Sequence, residues 1–203
     1  MADTQTNPLT LVTNPAPDFA TTAVVNKEYK QVKLADYKGK WVVLFFYPLD
    51  FTFVCPTELI GLSERYEEFK KIGVEILGCS VDSKHSHLAW LKQPVKDGGV
   101  EGLKYPLLED LGGAITSKYG VLVENRALRA MFIIDPNGIV QHATINNRPV
   151  GRSVDETLRV VQAFQHIALH GDEVCPMDWK PGEKTMNPNE KGKAEYFSKR
   201  KTA

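Results

Sequence analysis

The chain reads as an α/β protein, with helices packed on a mixed β-sheet, and three stretches carry that expectation. "KWVVLFFYP", 40–48, is a continuous apolar run of strand length, the pattern of a strand buried on both faces. After a short loop, Leu59, Leu62, Tyr66, Phe69 and Ile72 recur at spacings of three and four, which predicts a helix. A second apolar strand, "GVEILGCSV", 73–81, follows it, completing a strand–helix–strand unit. Further on, "RAMFIID" and "IVQHATI" flank the turn "DPNG" and read as an antiparallel pair, so the sheet is mixed.

Taken in order, "NKEYKQVKLADYKG" has period-two character and turn residues and predicts a short hairpin, or a strand and turn. Pro56 suits the first turn of the helix after strand 40–48, and Gly73 suits its end. "HSHLAWLKQ" predicts a helix, "KDGGVEGLKYP" a loop and "DLGGAITSKYG" a short helix. Ser153 and Glu156 have the spacing of a capping box ahead of a helix that carries Val154, Leu158, Val161 and Ala168 on one face. From Gly171 onward the chain is polar with Pro and Gly, an ordered arm fading into a tail.

Composition narrows the function classes. The 203 residues suit one domain with an extension. Lys+Arg and Asp+Glu are equal at 25 each, which leaves no global field to draw in nucleic acid or an anionic membrane, and neither is expected as a partner. The basic cluster in "KGKAEYFSKRK" is read as a solvated tail. "MADTQTNPLT" lacks the pattern of a signal peptide, and "WVVLFFY" is too short to span a bilayer, so a soluble, cytoplasmic protein is expected. Three cysteines without CxxC or zinc spacing are neither a disulfide framework nor a metal site. His85 and His87, two apart on a helix, point in different directions and are read as two exposed histidines rather than ligands. No metal and no cofactor is expected; neither G-x-G-x-x-G nor a P-loop occurs.

The chemistry concentrates at Cys55 in "FYPLDFTFVCPTE". It sits where a strand hands over to a helix, beside the unpaired N–H groups and partial positive charge of a helix start, both of which favour a thiolate. A loop at a strand end also predicts a position near the surface. The alternative is a packed, inert cysteine, common for this residue type.

Several segments resemble one family. "PLDFTFVCPTE" is similar to the active-site segment of the peroxiredoxins, thiol peroxidases of the thioredoxin superfamily; Pro48, Thr52 and Cys55 fit the pattern P-x-x-x-[TS]-x-x-C. "EVCP", 173–176, looks like the resolving-cysteine segment of the typical two-cysteine subfamily, and "RPVGRSVDETLRVVQAFQ" and "EYFSK" are similar too. The element order also matches the thioredoxin fold, here with an N-terminal hairpin extension. The division expected is a peroxidase domain over 1–170 and, over 171–203, an arm carrying the resolving cysteine.

The resemblance implies roles. Cys55 is the peroxidatic nucleophile and becomes a sulfenic acid. Thr52 hydrogen-bonds the sulfur and the incoming oxygen, Pro48 shields the sulfenic acid, and Arg129 places a guanidinium beside sulfur and peroxide. Glu58 and Arg152 are candidate supports behind them. Cys175 condenses with the sulfenic acid of the other subunit, whereas Cys79, inside a strand, has no catalytic role. Tyr196 and Phe197 belong to a C-terminal helix that covers the site and delays the disulfide; "GGVEG", 98–102, only partly matches the companion GGLG pattern. The implied substrates are hydrogen peroxide and organic hydroperoxides, the reductant thioredoxin or an equivalent dithiol, and the assembly a homodimer, often five dimers in a ring. Two other classes stay open at this point: a holdase chaperone, and a thioredoxin-type dithiol oxidoreductase, against which residue 58 is Glu rather than the second Cys of a CxxC.

Overall fold

The computed structural model describes residues 10–198; the first nine and last five residues, including the end of the basic tail, lie outside them. The chain divides into two units at Val154/Asp155.

The first unit is built on a seven-stranded sheet in the order β2-β1-β5-β4-β3-β8-β9. The strand expected from the apolar run, β3 (Trp41–Phe46), lies inside it, with Val42 to Phe46 all buried. It pairs in parallel with β4 (Val74–Ser80) on one side and antiparallel with β8 (Arg129–Ile134) on the other. Antiparallel β9 (Val140–Asn146) closes that edge through the expected turn, where Asp135 Oδ1 accepts from the backbone N–H groups of Asn137 and Ile139. Alternation sorts the side chains. Val42, Leu44 and Phe46 join Leu77, Cys79, Ala130, Phe132 and Ile134 in one core that also takes Ile115 and Tyr119. Val43, Phe45 and Tyr47 stand on the opposite parity.

The helix after β3 comes in two pieces, α1 (Cys55–Glu64) and α2 (Tyr66–Lys71), where periodicity predicted one; the break is at Arg65, whose φ of −93° and ψ of 8° leave the helical region. Leu59, Leu62 and Phe69 are buried as expected, and Gly73, at φ 72°, stops the helix in a left-handed conformation. Next come α3 (Lys84–Trp90), capped by Ser83, and α4 (Ala114–Lys118), whose first N–H groups are received by the Asp110 carboxylate.

Four strands exceed the sequence expectation. The hairpin is β1 (Ala20–Val25) with β2 (Glu28–Lys33), so its first strand precedes the segment read as the hairpin, and Asn26–Lys27 form the turn at positive φ. β5 (Leu107–Glu109) joins β1 to β4 with three residues, too few to show a period. A separate two-stranded hairpin, β6 (Leu122–Val123) and β7 (Arg126–Ala127), also escaped the pattern.

The second unit holds α5 (Val154–Leu169) from its second residue on, a helix that starts directly after Ser153, then the arm and α6 (Glu190–Ser198). Within it, Val174 and Met186 bridge antiparallel, the His166 and His170 rings stack at 4.1 Å, and His166 Nε2 lies 2.9 Å from Glu173. Among the described residues no helix is long and apolar enough to cross a membrane.

Candidate active site

Cys55 is the first residue of α1, beyond the C-terminal end of β3, where open α/β sheets place their sites. Pro56 occupies the first turn, where its missing N–H costs no helical bond. The surface position expected for Cys55 is corrected: its side chain is fully buried. The reason is tertiary. From the start of α1 the side chain meets the first residue of β8, and next to it a Cβ added at Gly151 would lie only 3.4 Å from Val54 Cγ1.

Waiting there is Arg129, the first residue of β8, itself buried. Its Nη1 donates to Cys55 Sγ at 3.4 Å and to Glu58 Oε2 at 2.7 Å, and its Nε donates to the Arg148 carbonyl at 2.5 Å. Glu58 lies one helical turn after Cys55, so the same face of α1 carries thiol and carboxylate. Arg152 grips that carboxylate through its backbone N–H at 2.9 Å, its Nε at 2.8 Å and its Nη2 at 2.9 Å. Its Nη1 donates to the Phe46 and Ala130 carbonyls, and the guanidinium lies 5.3 Å over the Phe45 ring. Burial alone raises the Glu58 carboxyl, but the hydrogen bonds and charge of Arg152, joined by the charge of Arg129, outweigh it and hold the group below its usual range.

Charge counting gives the cluster a direction. Two buried guanidiniums share one buried carboxylate, so the set carries one net positive charge beside the sulfur. An anion at Cys55, or negative charge developing on an atom next to it, completes the balance.

The segment leading to Cys55 is pinned as well. Pro48 is buried and Thr52 half-buried; the Thr52 hydroxyl donates to the Leu49 carbonyl at 2.9 Å. Between them Asp50 is buried and receives the Tyr47 hydroxyl at 2.8 Å. His87, read from sequence as exposed, is instead fully buried beneath this segment: Nδ1 lies 2.8 Å from Asp50 Oδ2 and Nε2 lies 3.1 Å from the Leu108 carbonyl. Both ring nitrogens thus face acceptors, and an imidazolium satisfies both. Burial alone lowers the His87 pKa, but the Asp50 carboxylate and the Leu108 carbonyl outweigh it and raise the group above its ordinary value. The signal was in the sequence: His87 and Trp90 are three apart, both on the inward face of α3, and of the two histidines of α3 only His85 is exposed.

The other cysteines differ in kind. Cys79 is buried in β4, and burial first, then the Asp110 charge, pushes its thiol well up. Cys175 is half-buried in the second unit, with Sγ 3.8 Å from the Ala163 carbonyl. Burial first and Glu173 second raise its thiol, against the lowering pull of Arg159. Tyr196 and Phe197 sit on α6 with rings 5.4 Å apart, edge to face. In the "GGVEG" segment, Val100 is buried, the Gly98 carbonyl accepts from Trp90 Nε1, and a Cβ at Gly99 would lie 2.0 Å from the Gln93 carbonyl oxygen.

Comparison with known proteins agrees with this geometry. Residues 12–143 match the AhpC/TSA family, and residues 163–199 match the C-terminal domain of 1-Cys peroxiredoxin. The chain is 58% identical to the chloroplastic 2-Cys peroxiredoxin BAS1 of Hordeum vulgare, over 94% of this chain and 91% of that protein. It is 58% identical to peroxiredoxin-2 of Macaca fascicularis, over 91% and 94% of the two chains. The reduced crystal structure of Plasmodium vivax 2-Cys peroxiredoxin superposes with a TM-score of 0.91 at 47% identity, covering 93% of this chain and 99% of that one. With its thioredoxin fold and a thiol held against a buried guanidinium, the chain belongs to the peroxiredoxins and is a thiol peroxidase.

Proposed function

We propose that Cys55 is the peroxidatic nucleophile of this peroxidase and Cys175 its resolving partner, within a peroxidase domain over 1–170 and an arm over 171–203. The observation that carries the reading is the Arg129 guanidinium, 3.4 Å from the Cys55 sulfur and braced by Glu58. The Cys55 thiolate attacks one oxygen of a hydroperoxide. The S–O bond forms as the O–O bond breaks; sulfur is oxidised to the sulfenic acid, and the departing oxygen takes a proton to leave as water or an alcohol. Arg129 stabilises the charge that moves onto that oxygen. Thr52, half-buried three residues before the cysteine, turns its hydroxyl from the Leu49 carbonyl toward the incoming oxygen. Pro48 walls off the sulfenic acid, while Glu58 and Arg152 hold Arg129 in place.

The Cys175 thiol of the partner subunit then attacks the sulfenic sulfur, forming a disulfide and releasing water; thioredoxin or an equivalent dithiol returns both cysteines to thiols. We read α6, with its Tyr196–Phe197 pair, as the element that slows this condensation and leaves time for a second peroxide. A cytoplasmic homodimer, assembling further into a ring of five dimers, fits this cycle. The test adds one equivalent of hydrogen peroxide to reduced protein, followed by non-reducing electrophoresis and peptide mapping. A Cys55–Cys175 link between chains is expected; a disulfide through Cys79, or oxidation that bypasses Cys55, overturns the assignment.

A further inference from the structure

The loop between β9 and α5 reaches the site through Arg152 and through the Arg148 carbonyl that receives Arg129 Nε. The Arg148 side chain goes elsewhere, to the β6–β7 hairpin. Its Nη1 donates to Glu124 Oε2 at 3.0 Å, and its Nη2 donates to the Val123 carbonyl. Glu124 and Asn125 form the two-residue turn of that hairpin, both at positive φ (50° and 57°), a turn that pins its tip. The Arg148 Nε–H is buried and has no acceptor among the described residues. A guanidinium that forgoes a hydrogen bond rather than swing into water is held by its other two contacts. Arg126, 3.7 Å from the same Glu124 carboxylate, is the other charge facing this clamp.

We propose that Arg148, clamped by Glu124 and Val123, is a positioning residue for peroxide reduction. A guanidinium is a rigid plane, so two anchored edges fix its orientation. For Arg129 one edge is Nη1 on Glu58 and the other is Nε on the Arg148 carbonyl. The clamp sets where that carbonyl lies, and so the angle at which Arg129 meets Cys55 and the departing oxygen. If the clamp is cut, Arg129 keeps its charge and its Glu58 bond but is free to pivot about it. The inference rests on the reading of Arg129 as the donor to the departing oxygen.

The test compares Arg148→Ala, Arg148→Lys, Glu124→Ala, the Arg148→Ala/Glu124→Ala double variant and Arg129→Ala in the full chain. Each is assayed for the stopped-flow rate with hydrogen peroxide and for the rate of Cys55 alkylation by iodoacetamide, which needs thiolate but no leaving-oxygen donor. Because misplacing a reacting group by ~1 Å costs up to ~10²-fold, Arg148→Ala is expected to lose about tenfold with peroxide and less than about twofold with iodoacetamide. Glu124→Ala moves the same way. The double variant falls no further than Arg148→Ala, because both act through one contact. Arg148→Lys, which keeps the pair with Glu124, recovers part of the rate. An unchanged peroxide rate, an equal fall with both reagents, or multiplicative losses in the double variant overturns the proposal. Arg129→Ala separates the two readings: selective loss there without selective loss in Arg148→Ala removes only the clamp, and no selective loss in Arg129→Ala removes both.

Discussion

Replacing Arg129 by Ala removes the cation nearest the sulfur, and the structure sets how large the loss should be. Against a unit negative charge, a guanidinium nitrogen at 3.4 Å is worth about 5 kcal/mol at an effective dielectric near 20, but an interaction present equally in the ground state does not accelerate the reaction. Acceleration comes from the difference between ground and transition states. If a second guanidinium N–H meets the departing oxygen at about 2.8 Å, the Coulomb energy rises by about 1 kcal/mol. A hydrogen bond to a charged acceptor adds roughly 1.5–3 kcal/mol. The sum, about 2.5–4 kcal/mol, corresponds to roughly 10²–10³-fold in rate, the size of loss seen when one oxyanion donor is removed. A thiolate fraction effect cannot substitute for this. Dropping a thiol pKa from ~8.5 to ~6 gains about 30-fold in anion at pH 7, and a Brønsted slope of ~0.4–0.5 takes back about 10–20-fold in nucleophilicity, leaving only about two- to threefold. The assay is stopped-flow reduction of hydrogen peroxide by Arg129→Ala with the Cys55 thiol titrated in parallel. A peroxide rate that falls only in step with thiolate fraction would refute the reasoning.

Three further outcomes follow from the packing and the ionisable groups. Glu58→Gln leaves two buried guanidiniums without their shared anion and should cost about 3–5 kcal/mol in urea unfolding. The wild-type Glu58 carboxyl, held low in the fold, contributes stability that is present above its unfolded pKa and disappears as pH falls through the folded one; in the variant that acid slope should flatten, and an unchanged slope would remove Glu58 as its source. His87 is shifted the other way: its contribution is complete below the unfolded pKa and is lost as pH rises through the raised folded value. Urea midpoints should therefore decline on that alkaline side in wild type and not in His87→Asn, and parallel curves would show that the Asp50 pair is energetically silent. Gly78→Ala puts a Cβ 2.9 Å from Leu107 Cδ2 and 3.0 Å from Phe45 Cζ, both fully buried, so calorimetry should show a lower Tm and about 1–3 kcal/mol of destabilisation; an unchanged Tm would mean that this core yields more easily than its packing indicates.

The chain order of residues settled a good deal by itself. The apolar run 41–46 has no polar face to turn to water, so it had to become a strand covered on both sides, and it is β3. Pro56 and Gly73 bracket the helical stretch through their backbone chemistry alone, and Asp135, Asn137 and Gly138 make the β8–β9 turn by local hydrogen bonds. Such features depend on neighbours within a few residues, where sequence and space coincide. What needed the tertiary structure are contacts between residues far apart in the chain. Arg129 is 74 residues from Cys55, and Arg152 is 94 from Glu58, and no local periodicity records either distance. The pairing of β3 with β8, and of β8 with β9, brings them together, and only then does an exposed-looking Cys55 become a buried sulfur next to a charge. His87 was misread because solvent exposure belongs to the packed helix, not to the residue type, and β5 was missed because its three residues become a strand only by bonding to β4 and β1. Sequence thus determined where the candidate thiol lies and the elements that carry it. The fold decided which charge meets that atom and in what orientation, since electrostatic energy depends on separation in space.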